Sequence, residues 1–293
     1  MPSIKLEGIT KRFGQLKALD GISFDIDGPG CIGILGPNGA GKTTMLKILT
    51  NIVKPSKGIA KVNGISVSEY PEKALASVGA LVEQPEFYPY LTAREILSFV
   101  VKIKMAKDEK DEIRRVSELT SITGYLDRKA GEFSRGMKQR LGIAVALVGD
   151  PDVLILDEPT FGLDPSGMKQ VRDIIKEINA KREKIIILST HLIYEAQEVC
   201  DRIIIVNRGN IGYDVHNGLS DHVKIELEAP VTGIDFPAEL ARKYRSDGNS
   251  IYIEKADGTR NSDLIEHCRK MGHEVRWVTP YNDIEAIYVS LTK

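Results

Sequence analysis

The chain has 293 residues, of which 42% are hydrophobic and 28% are charged, and its formal net charge is −1. This composition is typical of a globular protein with one or two domains. A net charge this close to zero does not favour a role in wrapping nucleic acid or in binding membranes through a polybasic surface. Three scattered cysteines, Cys31, Cys200 and Cys268, have the spacing of neither metal ligands nor a disulfide framework, which favours a reducing compartment.

Short β-rich runs alternate with helical patterns along the first two thirds of the chain, which predicts a mostly parallel α/β sheet. Nearly continuous apolar runs are typical of strands that are covered on both faces. The predicted strands of this kind are residues 31–36, 153–157, 184–190 and 202–207. Between residues 85 and 149 the pattern becomes helical and charged, with residues 105–119 as the clearest solvated helix. We interpret this stretch as a helical insertion between strands.

The pattern of predicted strands and helices changes after about residue 214. Strand-like alternation at residues 223–229 and 250–255 is interleaved with predicted helices near residues 237–245 and 262–271. A further strand at residues 273–279 precedes a terminal helix around residues 283–291. This β-α-β-α-β-α order predicts a small α+β accessory domain over residues 216–293, behind a main domain over residues 1–215.

No membrane span is expected in the chain. Its longest apolar runs have the length of a strand, well below the ~20 residues that cross a bilayer as a helix. The first residues also lack the apolar stretch of a secretory signal.

The segment GPNGAGKTT follows a predicted strand and begins a predicted helix. The pattern G-x-x-x-x-G-K-[ST] in this context is a P-loop, whose glycines let backbone N–H groups turn toward phosphate at a helix N-terminus. We expect Lys42 to contact the β- and γ-phosphates and the hydroxyl of Thr43 to join a Mg²⁺ shell. The predicted phosphate cradle comprises Gly36, Pro37, Asn38, Gly39, Ala40, Gly41, Lys42, Thr43 and Thr44.

Two acids follow the buried run VLIL at residues 153–156. Asp157 is predicted to hold Mg²⁺ through water, and Glu158 to polarise an attacking water as a general base. Two surface acids at a strand end are the alternative. A P-loop also occurs in GTPases and small-molecule kinases, but the guanine-reading pattern N-K-x-D does not occur in this sequence.

The segment FSRGMKQR at residues 133–140 begins like a helix but breaks two rules of helix design. Ser134 is a good N-cap. Gly136 lies in the first turn, where it costs about 0.5–1 kcal/mol relative to Ala. Arg135, Lys138 and Arg140 crowd the positive end of the helix dipole, where acids are preferred. A bare backbone under positive potential predicts that an anion binds here, whereas a plain N-capped helix is the alternative. The buried face of this helix would comprise Met137, Leu141, Ala144 and Val148.

Together these motifs resemble the ABC ATPases, specifically the nucleotide-binding subunits of ABC transporters, over about residues 4–215. The resemblance implies a P-loop ABC ATPase fold with an antiparallel N-terminal β part and a helical subdomain at about residues 86–149. It also implies that Phe13 stacks on adenine and that Gln84 reaches Mg²⁺ and the attacking water. Asp164 would face a partner subunit, and His191 would contact the γ-phosphate. A core aromatic is the alternative for Phe13, and a structural histidine for His191.

In this family two copies pack head to tail, and the signature segment of one copy contacts ATP on the other. The resemblance therefore implies that Ser134 and Gly136 bind the γ-phosphate held by a second copy. Three residues depart from the usual LSGGQ consensus sequence, namely Phe133, Arg135 and Met137. The implied cofactors are ATP and Mg²⁺.

The implied partner besides a second copy is an integral membrane permease in a separate chain, with this chain on the cytoplasmic face of the cell membrane. The aromatic stretch of Phe87, Tyr88, Tyr90 and Leu91 is a candidate docking surface, and a local core is the alternative. The segment GMKQRLGIA at residues 136–144 and the short C-terminal unit most resemble exporter or multidrug-resistance ATPases. A non-transport ABC ATPase that acts on a macromolecular assembly, or a regulatory subunit without catalysis, remains open, and the transported substrate is not indicated.

Overall fold

The computed structural model describes residues 1–106, 108–216, 222–256, 258–280 and 284–292. It divides the chain into two compact units, one of Met1–Val215 with Leu291–Lys293 and one of His216–Ser290. Within the described ranges, no helix combines the length and the apolar character that crossing a bilayer requires.

The first unit begins with an antiparallel sheet in the order β2-β1-β4-β5. Its strands are β1 (Ser3–Phe13), β2 (Leu16–Asp27), β4 (Lys57–Val62) and β5 (Ile65–Ser66). Ile4 and Leu6 alternate into the core as in a half-buried strand, and a register shift between Leu6 and Ile9 returns Ile9 to the same core. The antiparallel N-terminal part that the resemblance implies is therefore confirmed.

The central sheet has the strand order β10-β9-β3-β8-β7-β6. Its strands are β3 (Gly30–Leu35), β6 (Val78–Leu81), β7 (Val153–Asp157), β8 (Ile185–Thr190), β9 (Arg202–Asn207) and β10 (Asn210–His216). The pairs from β9 through β6 are parallel. Every residue of β3, β7 and β8 is buried, which explains their continuous apolar runs. The four predicted buried strands are confirmed to within one residue at each end.

Seven α-helices of this unit lie among the described residues, namely α1 (Lys42–Leu49), α2 (Pro71–Leu75), α3 (Ala93–Lys104), α4 (Glu109–Leu119), α5 (Arg135–Leu147), α6 (Pro165–Ala180) and α7 (Ile193–Val199). The sequence placed the start of the α4 helix too early. Met105 instead ends α3 in a left-handed conformation, and the side chain of Asp108 caps α4 through the N–H of Asp111 at 3.0 Å. Lys107 of the predicted helix lies outside the described residues.

Helix α5 packs against β6 at two glycines. A Cβ on Gly79 of β6 would lie 1.8 Å from the carbonyl oxygen of Ala146, and one on Gly142 of α5 would lie 3.0 Å from Leu81 and 3.1 Å from Pro85. The backbone of α5 therefore lies so close to β6 that only glycine fits at residue 79. The predicted buried face of α5 is confirmed for Leu141, Ala144 and Val148, although Val148 follows the helical residues.

The second unit contains an antiparallel sheet in the order β12-β13-β11-β14. Its elements are β11 (His222–Leu227), β12 (Ala241–Asp247), β13 (Ser250–Lys255), α8 (Asn261–Lys270) and β14 (Val275–Pro280). Its core includes Val223, Ile225, Ile251, Ile253 and Leu264. A last helix, α9, runs Ile284–Thr292, whereas Asp283 of the predicted terminal helix lies outside the described residues.

The predicted helix near residues 237–245 is wrong. Residues from Ala241 form a strand that pairs with β13, and the two-residue connection has Gly248 at φ +57°, as a type II′ hairpin turn needs at its first central position. Tyr244 lies with its ring 5.3 Å from that of Phe236, so cross-strand pairing and aromatic packing outweigh local helix preference. The order β-α-β-α-β-α is accordingly wrong, and the described elements run β-β-β-α-β-α.

The contact at Gly79 yields a stability prediction. We expect Gly79→Ala to lower the free energy of unfolding by about 3 kcal/mol, because the new methyl group would overlap the carbonyl of Ala146. Urea titrations followed by circular dichroism measure this. Gly124→Ala is the matched control, since a Cβ there meets nothing within 4 Å, and its effect should stay within about 0.5 kcal/mol. Equal effects of the two variants would contradict the packing argument.

Candidate active site

The phosphate cradle joins β3 to α1. Gly36 is confined by the carbonyl oxygen of Val206, which a Cβ would approach to 2.2 Å, and Gly41 caps α1 with φ +110°. Gly39 also has positive φ, at +79°, a region that glycine enters without cost. The first turn of α1 contains no acidic residue, so its N-terminal dipole is not offset by a carboxylate of that turn. Backbone freedom and an unopposed helix N-terminus are the features that an anion-binding loop needs.

Lys42 is buried inside the cradle, with 4% of its side chain exposed. Its ammonium group donates to the carbonyl oxygens of Gly36 at 2.8 Å and Pro37 at 3.2 Å. It also forms an ion pair with Oε1 of Glu158 at 3.2 Å. A buried ammonium is stable only when it is paired and hydrogen-bonded, and these three oxygens meet that need.

The side chain of Asp157 is buried at the end of β7. Its Oδ1 accepts a hydrogen bond from the hydroxyl of Thr43 at 3.2 Å and another from the hydroxyl of Ser189. Ser189 in turn accepts from the backbone N–H of Glu158 at 2.9 Å. One buried hydroxyl thus fixes both acids, and it orients the carboxylate of Asp157 toward the cradle residue Thr43.

Glu158 lies between two predicted site residues. Its Oε1 contacts Lys42, and its Oε2 lies 3.0 Å from Nδ1 of His191. The backbone of Glu158 is left-handed, with φ +44°, a conformation that costs a non-glycine residue about 1–2 kcal/mol. Strain of this kind at a site residue is typical of positions where function requires a particular direction of the side chain.

His191 follows β8 and is held by its neighbours. The hydroxyl of Thr190 accepts from the N–H of Leu192 at 3.1 Å and donates to the buried carboxylate of Glu195 on α7. This arrangement turns the chain sharply after β8. The imidazole therefore lies near the carboxyl ends of β7 and β8, in contact with Glu158.

Two cavities adjoin the cradle. The first, of about 460 Å³, is lined by Phe13, Lys17, Arg208 and the P-loop residues from Asn38 to Thr44, with Glu158. The second, of about 750 Å³, contains Gln84 together with Asp157, Glu158 and Thr43. The side chain of Phe13 is half-exposed at the rim of the first cavity, and the ammonium of Lys11 lies 4.8 Å from the centre of its ring.

Ser134, Gly136 and Asp164 line a third cavity of about 460 Å³, whose lining includes no P-loop residue. We call it the signature cleft. Ser134 caps α5 by accepting from the N–H of Met137 at 3.3 Å, and Asp164 caps α6 by accepting from the N–H of Gly167 at 3.2 Å. A Cβ on Gly136 would meet only Leu163, at 4.0 Å, so packing within the chain does not require glycine there.

Ser189 and Arg208 are among the residues of the site that were not found from the sequence. Ser189 has no motif of its own, because its role depends on reaching Asp157 across two neighbouring strands. Arg208 lines the first cavity because Gly209, next to it, donates its N–H to the carbonyl of Ala40 at 2.9 Å. A cation after a buried strand end is the only signal that could have indicated Arg208.

The model of the family described as ABC transporter matches residues 19–161. The ABC transporter ATP-binding protein YdbJ of Bacillus subtilis is 40% identical over 260 residues, which cover 88% of this chain and 82% of the relative. The Nod factor export ATP-binding protein I of Burkholderia lata is 38% identical over 208 residues, covering 70% and 68%.

A solved structure with a similar fold is the dimeric structure of MJ0796, a bacterial ABC transporter cassette. Its TM-score is 0.66 at 25% identity, with 73% of this chain and 98% of that chain covered. The predicted fold class, a P-loop ABC ATPase core, is confirmed by this likeness together with the parallel sheet and its cradle.

Ser189→Ala tests the network behind the two acids. Without the hydroxyl, the carboxylate of Asp157 loses a donor and the N–H of Glu158 loses its acceptor, so we expect stability to fall by about 2 kcal/mol. Urea unfolding of the full chain measures the change. Ser166→Ala on the exposed start of α6 is the control, with an expected change below about 0.5 kcal/mol. A neutral Ser189→Ala variant would show that these two hydrogen bonds do not contribute to stability.

Proposed function

The chain belongs to the ABC transporter family of ATP-binding proteins, and on that premise we propose how its site binds and hydrolyses ATP to drive a transporter. It is an ATPase subunit, and the substrate-conducting part is carried by a separate membrane permease. The observation that carries this function is the contact of Glu158 with both Lys42 and His191 above the P-loop. Those three side chains supply the cation, the base and the imidazole that phosphoryl transfer to water uses.

The residues around the cradle fit Mg²⁺ as a cofactor. This ion prefers oxygen ligands, keeps several waters and uses one or two carboxylates plus substrate phosphates. The hydroxyl of Thr43 and the carboxylate of Asp157 lie 3.2 Å apart, and Gln84 lines the same cavity. Thr43, Asp157 and Gln84 would hold the ion, which neutralises phosphate charge when bound.

Hydrolysis begins with an exchange of partners at Lys42. The incoming β- and γ-phosphates take the ammonium from Glu158, because phosphate oxygens carry more charge than a single carboxylate. The carboxylate of Glu158 is then free to accept a proton from water as the water oxygen bonds to the γ-phosphorus and the bond to the ADP oxygen breaks. His191 holds Oε2 of Glu158 and faces the γ-phosphate.

The signature cleft supports a head-to-tail dimer as the hydrolysing unit. Ser134 and Gly136 would contact the γ-phosphate of ATP on a second copy, and Asp164 would line the interface. Gly136 is free of packing constraints within its own chain, which is expected where a ligand must approach the backbone closely. ATP binds the closed dimer better than the open protomers, so it shifts the population toward closure, and hydrolysis reverses the shift.

Outward transport is the direction that the relatives favour. One of them is described as a Nod factor export ATP-binding protein, and it shares 38% of its aligned residues with this chain. We therefore assign the chain to an exporter, with the ATPase on the cytoplasmic face of the membrane where ATP is available.

The permease would dock on the aromatic stretch next to Gln84. Tyr88 and Tyr90 are 67% and 64% exposed, and their rings lie 5.7 Å apart. Phe87 and Leu91 are partly buried and support the loop. Two large exposed aromatic side chains beside a ligand-sensing residue are typical of a protein interface, and this exposure argues against a local core for the tyrosines.

Glu158→Gln tests the ATP-dependent clamp. Loss of the base should reduce hydrolysis by at least about 100-fold, whereas ATP binding and closure remain. The variant should therefore accumulate as a dimer at saturating Mg-ATP, as measured by size-exclusion chromatography with light scattering. Lys42→Ala in the same background should stay monomeric. A Glu158→Gln protein that remains monomeric would contradict the clamp.

Tyr88→Ala combined with Tyr90→Ala tests the docking surface. The pair should weaken co-purification with the membrane subunit at least about tenfold, as expected for interface aromatics worth more than 1 kcal/mol each. Basal ATP hydrolysis should not change. Tyr70→Ala is the control. It removes another exposed tyrosine, which is 56% accessible and lies at the start of α2, and it should leave co-purification intact. Equal losses for both changes would rule out this surface.

A further inference from the structure

Arg135 departs from the glycine that the family pattern has at this position, and it lines the signature cleft with Ser134 and Gly136. Its guanidinium carbon lies 5.4 Å from the centre of the Phe161 ring. A Cβ on Gly162 would come within 2.3 Å of the same carbon. The side chain of Arg135 therefore lies across the segment that joins Glu158 to α6. It occupies space that any side chain at position 162 would fill.

Arg135 has an aromatic face as its neighbour but no ion pair with a carboxylate among the described residues. The first turn of α5 contains no acid. Arg140, in the same helix, donates instead to the hydroxyl of Tyr125 at 2.6 Å. Asp164 also lines the cleft, but its carboxylate caps α6 by accepting from the N–H of Gly167 at 3.2 Å. The cleft thus combines the positive end of a 13-residue helix with a guanidinium that has no ion-pair partner among the described residues.

We propose that Arg135 is a phosphate-binding residue that acts in trans, on the ATP held by the cradle of a second copy. The inference rests on the proposed function, because it needs the head-to-tail dimer. In the dimer the guanidinium would leave the ring of Phe161 and donate two N–H groups to the terminal phosphate, beside the Ser134 hydroxyl and the Gly136 backbone.

The exchange is favourable on energetic grounds. An exposed cation–π contact is worth about 0.5–1 kcal/mol, whereas a bidentate guanidinium–phosphate pair is among the strongest hydrogen-bonded contacts. The stack on Phe161 keeps Arg135 in the cleft before a phosphate arrives, which lowers the ordering cost of the later contact. Because the proposed contact is with the terminal phosphate, which ADP lacks, Arg135 would also improve discrimination of ATP from ADP.

The test measures the ATP concentration that gives half-maximal dimer in the Glu158→Gln background. Arg135→Ala should raise this concentration about tenfold or more. Arg135→Lys keeps the charge but loses the planar fork, so its half-maximal ATP concentration should lie between those of the parent and of Arg135→Ala. ATP binding to the monomer at dilute protein, measured by isothermal titration, should not change. The salt dependence of dimerisation should become weaker in Arg135→Ala.

Lys138→Ala is the matched control, because it removes one positive charge from the same helix but lies outside the lining of the cleft. Its half-maximal ATP concentration should change less than twofold. Equal shifts for Arg135→Ala and Lys138→Ala, or no shift for Arg135→Ala, would overturn the inference and leave the clamp intact. A Glu158→Gln parent that does not dimerise would instead refute the proposed function on which the inference rests.

Discussion

The site depends on one geometric constraint, namely that the carboxyl ends of parallel strands meet at the same edge of a sheet. Strand β3 leads into the cradle, β7 ends at Asp157 and β8 ends at Thr190, one residue before His191. β8 lies between the other two strands in the sheet. Residues more than a hundred positions apart are therefore brought into hydrogen-bond contact without long loops, as open α/β sheets generally do with their ligands.

Buried polar contacts make this edge rigid. Lys42, Asp157 and Ser189 are almost fully buried, so each must keep its partners or lose several kcal/mol of desolvation energy. The result is a network in which the cradle cation, the buried aspartate and the exposed edge of Glu158 hold one another in place. Such a network stabilises one arrangement of side chains over the many that an apolar core alone would tolerate.

The sequence was most informative where function depends on residues that are close together along the chain. The P-loop and the acids after β7 are local patterns, and apolar runs identified the buried strands because both faces of those strands are covered. Ser189 and Arg208 escaped because their roles depend on strand order, which no local pattern contains. Residues 241–247 were misassigned for a related reason. Their charged composition permits a helix, and only pairing with β13 makes them a strand.

The contact of α5 with β6 has a mechanical consequence. Because Gly79 and Gly142 leave no gap between helix and strand, the two elements have no freedom to slide against each other. Gly79 meets Ala146 near the end of the helix, whereas Leu81 and Pro85 meet Gly142 closer to its start. Gln84 therefore lies toward the N-terminal end of the helix, which begins after Ser134. We therefore expect the glutamine and the start of the helix to move together, as two parts of one tightly packed element pair.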